Sequence, residues 1–254
     1  MKRDVELEQF FTKPEIAKQC ISQIDLSKFN RIIEPSAGSG SFSKQIPNCE
    51  AFDLSPMDPS IKQQDFLTWH TTGAEKILFI GNPPFGRQSS LAIKFINHAA
   101  QFANTIAFIL PRSFSKESML SKLNKHLILK EVFELPKDCF FFGDKTFDIP
   151  CNFFVFEYSK KEREEFKKYK TTDFEFCKKE NADFSIRRVG FYAGKVEGLD
   201  VSESSHYFVK DNNNSIDILR NIKYNVAVNT VGAKSLSKNE IIKEYLHQKE
   251  LINS

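Results

Sequence analysis

Between residues 31 and 158 the chain alternates short apolar runs with polar, turn-rich breaks. Residues 31–34, 50–54 and 61–66 are short runs with polar ends, whereas 76–80 is continuously apolar until Gly81-Asn82-Pro83-Pro84. A stretch apolar on both faces is what a central parallel strand covered by helices requires. Residues 105–110, stopped by Pro111, predict a fifth strand. Residues 91–100 instead carry apolar positions at helical spacing, with Ser89 and Ser90 as candidate N-caps. A further helix is predicted over 115–126, entered at Ser115. The last two runs, 127–135 and 152–158, have only an irregular Phe-rich segment between them. Parallel neighbours need a crossover of about a dozen residues or more, so this final pair is expected to be antiparallel. The pattern predicts an α/β, Rossmann-like doubly wound seven-stranded sheet with an antiparallel last strand.

Beyond Tyr158 the pattern changes. Residues 160–168 form a charge run, expected to be a solvated helix or linker. Short β-like pieces follow at 174–176, 184–186, 188–192 and 206–209. A capping turn at 211–215 then precedes a helix running through Lys223, and 238–249 predicts another. Residues 1–158 thus form one domain, and 159–254 a basic linker with a small C-terminal α+β extension. Composition is that of an ordinary globular chain, with 41% hydrophobic and 27% charged residues. No apolar run approaches the roughly 20 residues of a membrane span. The N-terminus, Met1 to Glu6, turns acidic too early for a secretory signal. The five cysteines are scattered without a C-x-x-C pair, as expected of reduced thiols in a cytoplasmic protein. No ligand-spaced histidines occur, so no metal is expected. The net charge of +3 says little, but Lys178, Lys179, Arg187, Arg188 and Lys195 place the basic excess toward the C-terminus.

Four groups of residues carry candidate chemistry, each at the end of a predicted strand. After the first strand, Gly38 and Gly40 can take the positive φ of a tight turn and let a ligand approach the backbone. Ser43 occupies the third glycine position of the dinucleotide fingerprint, and no Gly-Lys-Ser/Thr follows, so neither NAD nor ATP is indicated. Asp53 ends the second strand, where a carboxylate can accept from ribose hydroxyls. After the third strand Asp65 can accept from an adenine amino group while Phe66 packs on the base. Taken singly, each of these is as readily a turn residue. Asn82-Pro83-Pro84-Phe85 follows the central strand, at the carboxyl edge where doubly wound sheets bind ligands. Two prolines fix φ and remove donors, leaving carbonyl acceptors beside the Asn82 side chain. An aryl amine is a poor nucleophile because its lone pair is delocalised. Accepting both its protons on Asn82 and Pro83 favours a tetrahedral nitrogen. Phe85 can stack on a base extruded from its helix.

These motifs resemble the class I N6-adenine methyltransferases over residues 10–158. Phe10-Phe11-Thr12-Lys13-Pro14 looks like the aromatic-Thr-x-Pro segment of that family. The resemblance implies S-adenosylmethionine held by Phe11, Thr12, Glu34, Ser36, Gly38, Asp53, Asp65 and Phe66. It implies that Asn82, Pro83, Pro84 and Phe85 bind the target base as the catalytic set. It further implies methyl transfer to adenine N6 in nucleic acid, DNA before RNA, with no membrane partner. Arg187, Arg188 and Lys195 are expected to touch the nucleic-acid substrate through backbone contacts and stacking. The small C-terminal part leaves room for a protein partner in target recognition. Competing readings are methylation of a protein glutamine and a non-catalytic nucleic-acid-binding subunit.

Overall fold

The computed structural model describes residues 10–73, 76–143, 145–224 and 235–253. Residues 1–6, on which the reading against a secretory signal rests, and Asp144 of the Phe-rich segment lie outside them. The described chain divides into two compact units. The first runs to Phe114 and resumes over Met119–Glu164; the second takes Ser115–Ser118 and the residues from Glu165 onward.

In the first unit the strands are β1 (Phe11–Thr12), β2 (Arg31–Glu34), β3 (Glu50–Asp53), β4 (Lys62–Gln63), β5 (Ile77–Gly81), β6 (Thr105–Pro111), β7 (Leu127–Glu134), β8 (Phe140–Phe142), β9 (Lys145–Phe147) and β10 (Cys151–Tyr158). Seven of them form a sheet in the order β4-β3-β2-β5-β6-β10-β7. β2 to β6 are parallel, while β10 runs antiparallel to both β6 and β7. This is the predicted architecture, last strand included.

The continuous apolar runs divide by alternation between two cores. Phe79, Ile106, Phe108 and Phe154 face one core with Phe95 and Ile96 of helix α2 (Ser90–Ala99). Leu78, Ile80, Ala107, Ile109 and Phe153 face the other with Ile16 and Ala17 of helix α1 (Pro14–Ile21). Because both faces are covered, no polar position interrupts β5, and none interrupts β6 after Thr105.

Several local predictions need correction. The third strand shrinks to Lys62–Gln63, because Asp65 accepts from Leu67 N at 2.8 Å and turns Phe66–Thr68 into a 3-10 turn. The helix expected over 115–126 is a single turn, Glu117–Leu120, after a 3-10 turn at Arg112–Ser115. Ser89 stands at the N-cap of α2, but at φ 60° its side chain caps nothing. The Phe85 carbonyl takes that part, accepting from Leu91 N and Ala92 N at 3.1 and 3.2 Å. The Phe-rich segment is a hairpin, β8 on β9, that adds β1 as a third antiparallel strand. The charge run forms neither helix nor free linker at Arg163, whose guanidinium donates to the carbonyls of Leu120, Leu123, Asn124 and Leu127.

The second unit is a four-stranded antiparallel sheet, β11 (Phe174–Cys177), β12 (Phe184–Arg187), β13 (Val196–Glu197) and β14 (His206–Asp211), in the order β11-β14-β12-β13. Helices Ile216–Asn221 and Lys238–Asn253 cover it, with Phe174, Ile186, Val209, Leu219, Ile241 and Tyr245 in its core. Asp211 caps the first helix by accepting from Ser215 N and Ile216 N, and that helix ends two residues short of the predicted Lys223. Ser237 and Glu240 form a reciprocal capping box before the second. Residues 188–192 are a turn instead of a strand, apart from a bridge between Val189 and Ser235. Gly190 and Gly194, at φ 99° and 100°, break the extended backbone there. Among the described residues no helix is long and apolar enough to cross a membrane.

Candidate active site

The carboxyl ends of β2, β3, β4 and β5 open on one cavity of about 300 Å³. Phe11, Thr12, Glu34, Ser36, Gly38, Asp53, Asp65, Phe66, Asn82, Pro83, Pro84 and Phe85 all line it. The structure therefore brings together every cofactor and base residue expected from sequence in the first unit. Arg187, Arg188 and Lys195 belong to the second unit and are not among the lining residues.

The glycine turn after β2 is built by its neighbours. Gly38 and Gly40 take φ of 54° and 80°, and Gly38 N donates to Asp53 Oδ2 at 2.7 Å. The other Asp53 oxygen accepts from Ser55 N at 2.8 Å. Thus Asp53 joins the ends of β2 and β3, and each oxygen keeps a lone pair. Glu34 sits deeper, 2% exposed, and accepts from Phe42 N at 3.4 Å and Ser43 N at 2.7 Å. Burial pushes its carboxyl up to about 7, against the pull of those hydrogen bonds. These bonds hold the chain just past Gly40, so Glu34 shapes the turn from behind as well as lining the cavity.

The N-terminal segment closes over this turn. Phe11 pairs with Phe141 and Thr12 with Phe140 in the hairpin sheet. Ser41 Oγ donates to the Thr12 carbonyl at 2.6 Å. A Cβ placed on Gly38 would lie 2.7 Å from Cε1 of Phe11, so the ring rests where only glycine fits. Thr12 is 4% exposed and its Oγ1 is buried without a hydrogen-bond partner. Phe66 lines the cavity but is also a core ring, packed on Phe79, Phe95 and His98 at 5.0 to 5.3 Å.

At the end of β5, Asn82 is fixed on both sides. Its backbone carbonyl accepts from Ser36 Oγ at 3.0 Å, and its Nδ2 donates to the Phe10 carbonyl at 3.3 Å. The Oδ1 is buried with no partner. Phe85 packs against both cores, and its carbonyl staples the tetrapeptide to α2 as described above. Sequence reasoning missed Phe10 and Ser41 as positioning residues. Phe10 acts through its carbonyl and Ser41 through a hydroxyl in a serine-rich turn, and neither leaves a periodic signal.

The three basic residues expected to meet nucleic acid are engaged locally. Arg187 pairs with Glu197 at 2.9 Å, Lys195 with the same carboxylate at 3.2 Å, and buried His206 meets it at 2.8 Å. Hydrogen bonds from His206 and Arg187 hold the Glu197 carboxyl down to about 2. Arg188 donates twice to the Ser204 carbonyl.

The chain matches no described sequence family and no curated protein. It is similar in structure to a chain described as an RNA methyltransferase from Pyrococcus horikoshii, at 15% identity and a TM-score of 0.46, over 60% of this chain and 88% of that one. It is also similar to the 23S rRNA methyltransferase ErmE, at 13% identity and a TM-score of 0.42, over 61% of this chain and 71% of that one.

Proposed function

We propose that this chain is an S-adenosylmethionine-dependent methyltransferase acting on the N6 amino group of adenine in nucleic acid, DNA before RNA. The observation that carries the reading is the amide of Asn82. Its Nδ2 is committed to the Phe10 carbonyl, so the atom left buried and partnerless is an acceptor. A buried acceptor without a partner costs about 1–3 kcal/mol, and a substrate amine supplies the missing donor.

The residues around the cavity also fit the cofactor. Asp53 retains acceptor capacity for ribose hydroxyls, and the tight Gly38 turn lets a ligand approach the backbone. The partnerless Thr12 hydroxyl lies in the segment expected at the methionine end. S-Adenosylmethionine, when bound, supplies an electrophilic methyl group. The protein's own contribution is positioning and electrostatics. Asn82 Oδ1 and the Pro83 carbonyl accept hydrogen bonds from the amine N–H groups and set the direction of the nitrogen lone pair. Phe85 offers its ring to the base plane, and Phe11 covers the turn. DNA is placed first because the aromatic-Thr-x-Pro segment and Asn-Pro-Pro-Phe occur together.

The test is nucleoside mass spectrometry after incubation with S-adenosylmethionine and separate DNA and RNA pools. N6-methyladenine in either pool supports the chemistry, and the pool identifies the polymer. Methyl transfer only to protein would overturn the reading.

A further inference from the structure

The second unit carries two aromatic rings on its surface. Phe191 and Tyr192 are 77% and 60% exposed, more than any other aromatic ring among the described residues. Their centroids lie 5.1 Å apart with planes at 89°. Such rings contribute little to a core, yet the turn that presents them is firmly held. Gly194 donates to the Arg187 carbonyl at 2.7 Å and Ala193 to the Gly190 carbonyl at 3.0 Å. Gly194 packs so closely on the Tyr224 ring that a Cβ there would collide with it.

From this turn a line of cations and rings runs into a groove of about 500 Å³. The Arg188 guanidinium lies 5.6 Å from the Tyr207 ring. Lys238 Nζ stands 5.6 Å from the same ring and 5.0 Å from Phe176. Tyr207, Lys178, Lys179 and Lys238 line the groove, with Glu180 and Glu203 as its only carboxylates. Lys178 meets Glu180 at 4.0 Å with both side chains largely exposed, an arrangement that neutralises little. With Arg188 beside it, the groove keeps a positive excess. Positive charge tracking a groove, with solvent-exposed rings beside it, suits an unpaired nucleic-acid strand. In a duplex the base faces are already stacked and cannot meet the rings.

We propose that the second unit binds single-stranded nucleic acid, stacking bases on Phe191 and Tyr192 and carrying phosphates along the Lys178–Lys179–Lys238 groove. The inference rests on the proposed function only in taking nucleic acid as the substrate. It moves the contact from the paired cations Arg187 and Lys195 to the rings and the groove.

Fluorescence anisotropy on the full chain tests it, with a short labelled DNA single strand, the RNA of the same sequence, and the DNA duplex. Single strands are expected to bind about tenfold or more tightly than the duplex, and the two single-stranded arms identify the preferred sugar. Phe191→Ala with Tyr192→Ala should weaken single-strand binding about tenfold or more and leave the melting temperature unchanged. Lys178→Gln with Lys238→Gln should lower the slope of log K against log salt by about 1.4. Equal affinity for duplex and single strand, an aromatic double variant that binds as the parent does, or no binding to any strand each overturns it. Calorimetry with S-adenosylmethionine on the same proteins separates this outcome from a failure of the methyltransferase reading, which would show as absent cofactor binding.

Discussion

Asn82 donates its side-chain Nδ2 to the carbonyl of Phe10 at 3.3 Å, across 72 residues of sequence. The bond fixes which amide atom is free, and therefore that the site offers an acceptor. Asn82→Ala removes that acceptor and one tie to the N-terminal segment. Loss of a preorganised polar contact of this kind typically costs about 10²–10³ in rate. Methyl transfer by Asn82→Ala is expected to fall by at least that factor, while cofactor affinity in calorimetry changes by less than about threefold. An Asn82→Ala protein with near-parental turnover would sink the assignment.

Phe11 and Gly38 form a second coupled pair. Gly38→Ala introduces a Cβ 2.7 Å from the Phe11 ring at a backbone φ of 54°, so it meets both a clash and backbone strain. A loss of about 1–3 kcal/mol is expected. Phe11→Leu should relieve the clash without relieving the strain. In urea unfolding, the double variant is therefore expected to be more stable than the sum of the single changes predicts. Strict additivity would show that the ring does not press on this turn.

The sheet was legible in the sequence because its central strands are buried on both faces. Residues 76–80 and 105–110 carry no polar interruption, and the two cores take alternate side chains. The cavity was legible because its residues fall at successive strand ends, which the fold brings to one edge. What failed is local chemistry. Asp65 reads as a strand-end carboxylate, yet it caps the turn that shortens its strand. The Phe-rich segment has no alternation, and becomes a hairpin because β1 offers it an edge. Arg163 lies within a charge run, and only tertiary structure brings it to four carbonyls. The local partners of the basic residues 187, 188 and 195 were illegible for a related reason. Glu197 lies 10 residues from Arg187 and Ser204 lies 16 from Arg188, and β13 and the loop before β14 set them opposite.

Glu34 makes stability depend on pH in a defined direction. Its folded carboxyl titrates at about 7 because burial disfavours the anion, against an ordinary 4.5. A raised folded value means the native state binds the proton more tightly than the unfolded chain. The contribution is therefore complete below about 4.5 and is lost as pH rises through 7. At about 1.4 kcal/mol per unit, its upper bound is about 3.5 kcal/mol. Glu34→Gln stays neutral throughout. The parent-minus-variant difference in unfolding free energy, from urea titrations, should shrink between pH 4.5 and 7 and then level. A difference independent of pH would assign the dependence to other groups.

Thr12 sets stability against binding. Its hydroxyl is buried without a partner, while its backbone is held by Phe140 and Ser41. Valine keeps the branched shape and replaces the hydroxyl with a methyl, which removes an unsatisfied polar atom and breaks no hydrogen bond of the protein. Thr12→Val is expected to stabilise the free protein by about 1 kcal/mol. If the hydroxyl serves the cofactor, the same change weakens S-adenosylmethionine binding by about tenfold, since the ligand then loses its partner. Opposite signs in thermal unfolding without ligand and in calorimetry with it are the signature of a residue kept for binding. A rise in stability with unchanged affinity would remove Thr12 from the cofactor set and leave it as part of the N-terminal segment's fold. A fall in stability would mean that the hydroxyl is satisfied in solution, and that the segment over Gly38 is held by more than its backbone.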